Sequence, residues 1–189
     1  MNSYQLVLAS ASPRRKTLLE QLGYTFDVVV GNVEETRADD ESPYQYVERL
    51  SVDKARAGLA LSTPNALVIG SDTIIAFGDR VLEKPRDFAD AQRMLRMLSG
   101  HVHQVMTAVT VMSAEQHYSQ VIVTDVWFSA ISDDDISAYW QTGEPQDKAG
   151  SYAIQGIGGR FVTRIEGSYY AVVGLPLYET DQLIKKFIP

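Results

Sequence analysis

Residues 6–15 read Leu6-Val7-Leu8-Ala9-Ser10-Ala11-Ser12-Pro13-Arg14-Arg15. The apolar run Leu6 to Ala9 predicts a short strand. The break into Ser12-Pro13 predicts a helix, with Ser12 as N-cap and Pro13 in its first turn. Leu18, Leu19 and Leu22 give that helix an apolar side, and Gly23 stops it. Arg14 and Arg15 then fall in the first turn, where the helix dipole is already positive and backbone N–H groups lack partners. Two cations there break a local rule with no structural gain, which points to a missing anion. Surface arginines are the plainer reading, but Ser10, Ser12 and Pro13 favour the anion. Two hydroxyls, open amides and two guanidinium groups suit a phosphate chain.

The composition narrows the classes. With 189 residues, 45% of them hydrophobic, the chain can form one domain or two small lobes sharing a core. There is no cysteine, which excludes disulfides, cysteine-based metal sites and a thiol nucleophile. The three histidines, His101, His103 and His117, argue against a histidine-rich zinc centre. The start, Met1 to Gln5, has no basic segment followed by an apolar one, so no signal peptide is expected. No apolar run approaches the about 18 residues a membrane span needs. A cytoplasmic protein without a membrane partner is expected. A net charge of −7 argues against a broad nucleic-acid surface and leaves room for a local basic site.

Outward from the first helix, residues 24–30 are β-rich and 37–42 form a loop. Ser42-Pro43 repeats the cap-and-proline start and opens a helix to about Ala60, with Lys54 on its apolar stripe. Residues 66–77 predict a central strand buried on both faces, followed by a short run at 81–85. Asp87 caps a helix whose Asp90 sits in the capping-box position. Strands at about 102–113 and 119–130 pair as a hairpin, and a capped helix follows over 132–141. Residues 143–159 hold several glycines and polar groups and predict an ordered loop. Two strands, 161–165 and 168–173, precede a C-terminal helix. Helices punctuating strands make the class α/β, with a mixed sheet because hairpins are present.

The chemistry-bearing residues agree with one another. Asp72 lies inside the buried strand, where a carboxylate needs a partner, a metal or a function. Arg14, Arg15, Lys54 and Lys84 are cations able to neutralise a polyphosphate. Glu35 and Asp72 are carboxylates able to hold a divalent ion or activate water. Each has a plainer structural reading: Lys54 snorkels, Lys84 pairs with Glu83, and Gln155 satisfies its loop. Splitting a phosphoanhydride requires the cations and the carboxylates together. There is no G-x-x-x-x-G-K-S/T segment, and Gly156-Ile157-Gly158-Gly159 precedes a strand and so is no dinucleotide fingerprint.

Ordered motifs over nearly the whole chain carry a resemblance: residues 8–15, Gly70-Ser-Asp-Thr73, Glu83-Lys-Pro85, Leu98-Ser-Gly100, Thr107-Ala-Val109, Gly143-Glu-Pro145, Gly167-Ser-Tyr169 and Val173-Gly-Leu-Pro176. The chain resembles the Maf family of nucleoside triphosphate pyrophosphatases. The resemblance implies a mixed, largely antiparallel twisted sheet with flanking helices, and two lobes around a central cleft. It implies a single domain over 1–189, with dimers common. It implies cleavage between the α and β phosphates, to monophosphate and pyrophosphate, with Mg²⁺ or Mn²⁺. Asp72 becomes the proton acceptor, and Arg14, Thr73 and Gln155 help choose the substrate. Glu35, Lys54 and Lys84 match further polar positions of the site. Asp147-Lys-Ala-Gly150 with Ile154-Gln-Gly156 resembles the subfamily acting on dTTP and UTP rather than the one preferring 7-methyl-GTP. Other expectations stay open: a 7-methyl-GTP-type or broad nucleotide pyrophosphatase, a phosphatase releasing orthophosphate, and a non-catalytic nucleotide-binding regulator of cell division.

Overall fold

The computed structural model describes residues 4–188. The first three positions of the leaderless start expected above lie outside the described residues. The elements, in order, are β1 (Gln5–Ala9), α1 (Pro13–Gln21), β2 (Asp27–Val29), α2 (Pro43–Ala60), β3 (Ala66–Phe77), β4 (Arg80–Leu82), α3 (Phe88–Leu98), β5 (Val102–Met112), β6 (His117–Phe128), α4 (Asp133–Gln141), β7 (Val162–Glu166), α5 (Tyr169–Val173) and α6 (Leu177–Lys185). The sheet order is β2-β1-β3-β5-β6-β7, with β4 paired to β3. β1 runs parallel to β2 and to β3, whereas β4 on β3 and β7 on β6 are antiparallel. β5 and β6 are joined by four residues closed by Ser113 N donating to Gln116 O at 2.9 Å, too short a link for anything but an antiparallel pair. The sheet is therefore mixed, as the interleaved helices and hairpins predict. Among the described residues no helix is long and apolar enough to cross a membrane.

Two compact units divide the chain. One takes the residues up to Asp72, Thr107–Ile122 and those from Gly174 on; the other takes Thr73–Met106 and Val123–Val173. In the first, Val7, Ala9, Ala66 and Val68 interlock between β1 and β3. In the second, Leu95 and Leu98 of α3, Ile136 and Tyr139 of α4, and Phe128, Tyr152 and Phe161 form the larger core. His103 belongs to that core: it is buried, its Nε2 lies 2.8 Å from the Tyr152 hydroxyl, and burial pushes its pKa down to about 4. It is a neutral core ring.

Three local expectations are corrected. Residues 24–30 give only the short β2, because its partner β1 ends at Ala9, opposite Val29. Residues 168–173 form a helix rather than a strand. Ser168 Oγ accepts from Ala171 N at 3.2 Å and its carbonyl accepts from Val172 N at 3.2 Å, so capping and burial of Ala171 and Val173 override the β preference of the tyrosines and valines. The α3 box is displaced by one residue: Asp87 accepts from Asp90 N at 2.8 Å, but Asp90 returns to Arg86 N and pairs with Arg93.

β3 decides the site because it is buried along nearly its whole length, Asp72 included. Helix α2 lies so close to it that a Cβ on Gly70 would collide with the Ser51 carbonyl and come within 2.5 Å of Ala55 N. Those are backbone atoms of the turn that carries Lys54, so only a glycine lets Lys54 approach Asp72 this closely. Gly70→Ala should therefore destabilise the fold by at least about 2 kcal/mol, read from the urea midpoint. An unchanged midpoint would mean the helix can retreat without cost.

Candidate active site

The β1–α1 turn is built as its residues dictate. Ser12 is extended (φ −73°, ψ 115°), and its side chain accepts from Arg15 N at 3.4 Å. Ser10 Oγ accepts from Ser12 N at 3.1 Å. The first turn holds Pro13 and no acidic residue, so the positive end of α1 stays uncompensated there. Arg14 and Arg15 are half-buried. Arg15 Nε donates to the Gly174 carbonyl at 2.8 Å, an oxygen that Ser71 Oγ reaches at 3.2 Å. Burial pushes the Arg15 guanidinium below its usual pKa, against the pull of Asp72; Arg14 lowers it further and Glu35 raises it. The guanidinium keeps its proton even so.

Lys54 neither snorkels nor faces open solvent. Its Nζ lies 2.6 Å from Asp72 Oδ1 and 2.7 Å from Glu35 Oε1, one ammonium between two carboxylates. The Lys54 side chain is 18% exposed and that of Asp72 10%, whereas that of Glu35 is 52% exposed. Burial pushes the Asp72 carboxyl above its usual pKa; Lys54 and Arg15 pull it down and Glu35 adds to the rise. The N-terminal unit thus brings Arg15, Glu35, Lys54 and Asp72 into one electrostatic cluster.

Glu35 rides on residues 30–42, which contain no helix or strand. Sequence reasoning missed what holds this loop. Tyr46 Oη donates to the Glu35 carbonyl at 2.8 Å, and Arg49 Nη2 donates to the Thr36 carbonyl at 3.0 Å. Arg49 also grips Glu41 through Nε (2.7 Å) and Nη2 (2.9 Å), while Arg37 Nε donates to the Glu41 carbonyl at 2.7 Å. Nothing in the spacing of Glu41 and Arg49 announces a pair, because it forms across a loop–helix junction. A groove of about 700 Å³ beside the loop is lined by Arg37, Arg49 and Arg56 together with Glu34 and Asp53. Of these, Arg49 is engaged by Glu41 and Arg56 by Asp53.

In the second unit, Thr73 is half-buried and Lys84 and Gln155 are exposed. The Glu83 carbonyl, next to Lys84, accepts from Gly150 N at 3.1 Å, which ties residues 83–85 to the loop carrying Gln155. That loop is ordered, as expected, in short 3₁₀ turns at Glu144–Asp147, Ala149–Ser151 and Ile157–Phe161.

A capped basic turn, a lysine between two carboxylates and a buried aspartate on the central strand all coincide with the sequence motifs. The model of the Maf-like protein family matches residues 5–187. The chain belongs to the Maf-like family. A relative from Vibrio cholerae is 67% identical over 187 residues, 99% of this chain and 100% of the relative. One from Vibrio parahaemolyticus is 63% identical over 98% of both chains, and one from Photobacterium profundum is 58% identical over 100% of this chain and 99% of its own. Each of the three is named dTTP/UTP pyrophosphatase.

Maf-like proteins generally use divalent metal ions. Among the described residues no three His, Cys, Asp or Glu side chains gather as a metal cluster. Glu35 and Asp72 nevertheless fit a hard cation, since they already share one positive charge through oxygen donors. One or two carboxylates completed by substrate phosphates are a usual Mg²⁺ environment.

The loop clamp has a pH signature. The Arg49 hydrogen bond holds the Glu41 carboxyl below its usual pKa, against a smaller opposing effect of burial. A carboxylate lowered in the fold contributes stability above its unfolded pKa and loses it as pH falls through the folded value. The stability gap between the parent and Glu41→Gln should be full near neutral pH and close in acid below the usual carboxylate range. Urea titrations at several pH values read this directly. A gap that does not change with pH would remove the ion pair from the clamp.

Proposed function

We propose that this Maf-like protein hydrolyses dTTP, UTP and modified pyrimidine nucleotides at the α–β phosphoanhydride, releasing the nucleoside monophosphate and pyrophosphate. The observation that carries the reading is the Lys54 ammonium held between Glu35 and the buried Asp72, beside the basic turn of Arg14 and Arg15. The relatives' shared name supplies the substrate class.

Ser10, Ser12, Arg14 and Arg15 bind the phosphates, and Lys54 offsets charge that grows on their oxygens. Asp72 takes the proton from the attacking water. Its burial favours that role, because a carboxylate with raised proton affinity is a stronger base. The water oxygen bonds to the α phosphorus, the bond to the bridging oxygen breaks, and pyrophosphate leaves. Glu35 and Asp72 would hold Mg²⁺ or Mn²⁺, which polarises phosphate oxygens when bound. In this reading Lys84 contacts a phosphate, and Arg14, Thr73 and Gln155 help choose the substrate, as the family resemblance of their motifs implies. An amide such as Gln155 matches the donor–acceptor edge of uracil or thymine. One methyl is worth only about 1–3 kcal/mol, so U and T are poorly separated. We read residues 1–189 as a single working domain, cytoplasmic and homodimeric, acting on free nucleotides and not on nucleic acid or membranes; the net charge of −7 supports the last point.

A panel of nucleoside triphosphates with Mg²⁺ or Mn²⁺ should give pyrophosphate and monophosphate from dTTP and UTP. Orthophosphate as first product, or saturable binding without turnover, would overturn the reading. Asp72→Asn should keep nucleotide binding and lose turnover by about 100- to 10,000-fold. Undiminished turnover in a folded variant would displace Asp72 as the base. Gln155→Ala should flatten the preference for uracil and thymine over other bases. Equal losses on all nucleotides would take base choice away from Gln155.

A further inference from the structure

Gln155 is exposed, yet the backbone on both sides of it is fastened. Glu144 Oε2 accepts from Ile157 N at 2.8 Å, and Oε1 accepts from Gly158 N at 2.9 Å. Both oxygens of one carboxylate are thereby committed to two successive amides. Oε1 also accepts from the Tyr139 hydroxyl at 2.6 Å, and that hydroxyl accepts from Ala153 N at 3.2 Å. Residues 153 and 157–158 are thus tied to one Tyr139–Glu144 pair, and Gln155 stands midway between the ties.

The glycines around it agree. A Cβ on Gly156 would run into Glu144 Oε2 and lie 2.8 Å from its Cδ, and a Cβ on Gly158 would run into the Tyr139 hydroxyl. The Gly156-Ile157-Gly158-Gly159 run, which matches no dinucleotide fingerprint, is the groove through which this carboxylate reaches the backbone. Tyr139 is itself fixed: it is 2% exposed and meets the Phe161 ring edge-on at 5.3 Å. Burial would raise the Glu144 pKa, but the hydrogen bonds from Tyr139, Gly158 and Ile157 outweigh it and hold the carboxyl below its usual value. The staple is therefore ionised and fully engaged at neutral pH.

We propose that Glu144 and Tyr139 are positioning residues for base recognition, presenting the Gln155 amide to a pyrimidine on a rigid hoop. The proposal rests on the reading of Gln155 as a base-choosing residue. A preset amide loses little freedom on meeting the base edge, whereas a mobile one hydrogen-bonds any base that arrives. Tyr139→Phe removes one hydroxyl and keeps the ring in the core. Glu144→Gln puts an N–H₂ group against a backbone donor.

The experiment measures kcat/KM for UTP, for CTP and for inorganic tripolyphosphate in the parent, Glu144→Gln, Tyr139→Phe and Gln155→Ala, together with amide exchange over residues 153–158. Misplacing a recognition group by about 1 Å can cost about 100-fold, so the UTP/CTP ratio should fall by about 10- to 100-fold in Glu144→Gln and less in Tyr139→Phe. Tripolyphosphate turnover should change less than about threefold, and exchange over 153–158 should quicken. In a Gln155→Ala background, Glu144→Gln should shift the ratio no further, because the two act as one unit. Equal losses on all three substrates, or an undiminished UTP/CTP ratio with exchange already quickened, would overturn the proposal. If Glu144→Gln fails to fold, Tyr139→Phe alone decides by the same ratio. A Gln155→Ala protein that keeps its UTP/CTP ratio would overturn the reading of Gln155 itself, a result distinguishable from failure of the staple alone.

Discussion

A carboxylate in the middle of a buried strand is the constraint to which the N-terminal unit answers. Left alone, Asp72 would take up a proton, because desolvation penalises its charged form. Lys54 and Arg15 counter that tendency without abolishing it, and the carboxyl stays above its ordinary pKa. Burial and the two cations thus act in opposite directions on one carboxylate. The same lysine anchors Glu35, so one ammonium sets both the ionisation of Asp72 and the place of the second carboxylate.

The backbone makes this geometry possible. Gly70 removes a side chain where α2 crosses β3, which brings Lys54 within hydrogen-bond reach of Asp72. Ser71, between them, is fully buried and spends its hydroxyl on the Ala108 carbonyl at 2.8 Å and the Gly174 carbonyl at 3.2 Å. The Gly174 oxygen also receives Arg15, so strand, C-terminal segment and basic turn meet at one acceptor. The Ser71 hydroxyl is accommodated because each of its contacts finds a carbonyl.

Two loops carry the candidate site residues Glu35 and Gln155, and both are held by their main chain. Residues 30–42 are clamped by Tyr46 and Arg49 through the carbonyls of Glu35 and Thr36. Residues 153–158 are stapled by Glu144 through amides. In each case the candidate side chain is left exposed while its backbone is fixed. This arrangement suits groups that must meet a ligand without first paying the entropy of ordering a loop.

Local chemistry was legible in the sequence. Ser12-Pro13 and Ser42-Pro43 start helices wherever they occur, because cap hydrogen bonds and a preset φ act over three or four residues. The unbroken apolar run 66–77 marked a strand buried on both faces, and Asp72 within it marked a site. Segment 168–173 misled because its tyrosines and valines favour a strand, while the deciding contacts are a serine cap and burial that no propensity contains. The partners of the candidate groups were likewise out of reach: Arg15 meets Gly174, 159 residues on, and Glu41 of the irregular loop pairs with Arg49 of α2. Sequence by itself determined most of the element types, the family and the residues with chemistry to offer. Tertiary structure alone decided which of them touch, since a hydrogen bond or ion pair depends on distances that only the packed chain sets.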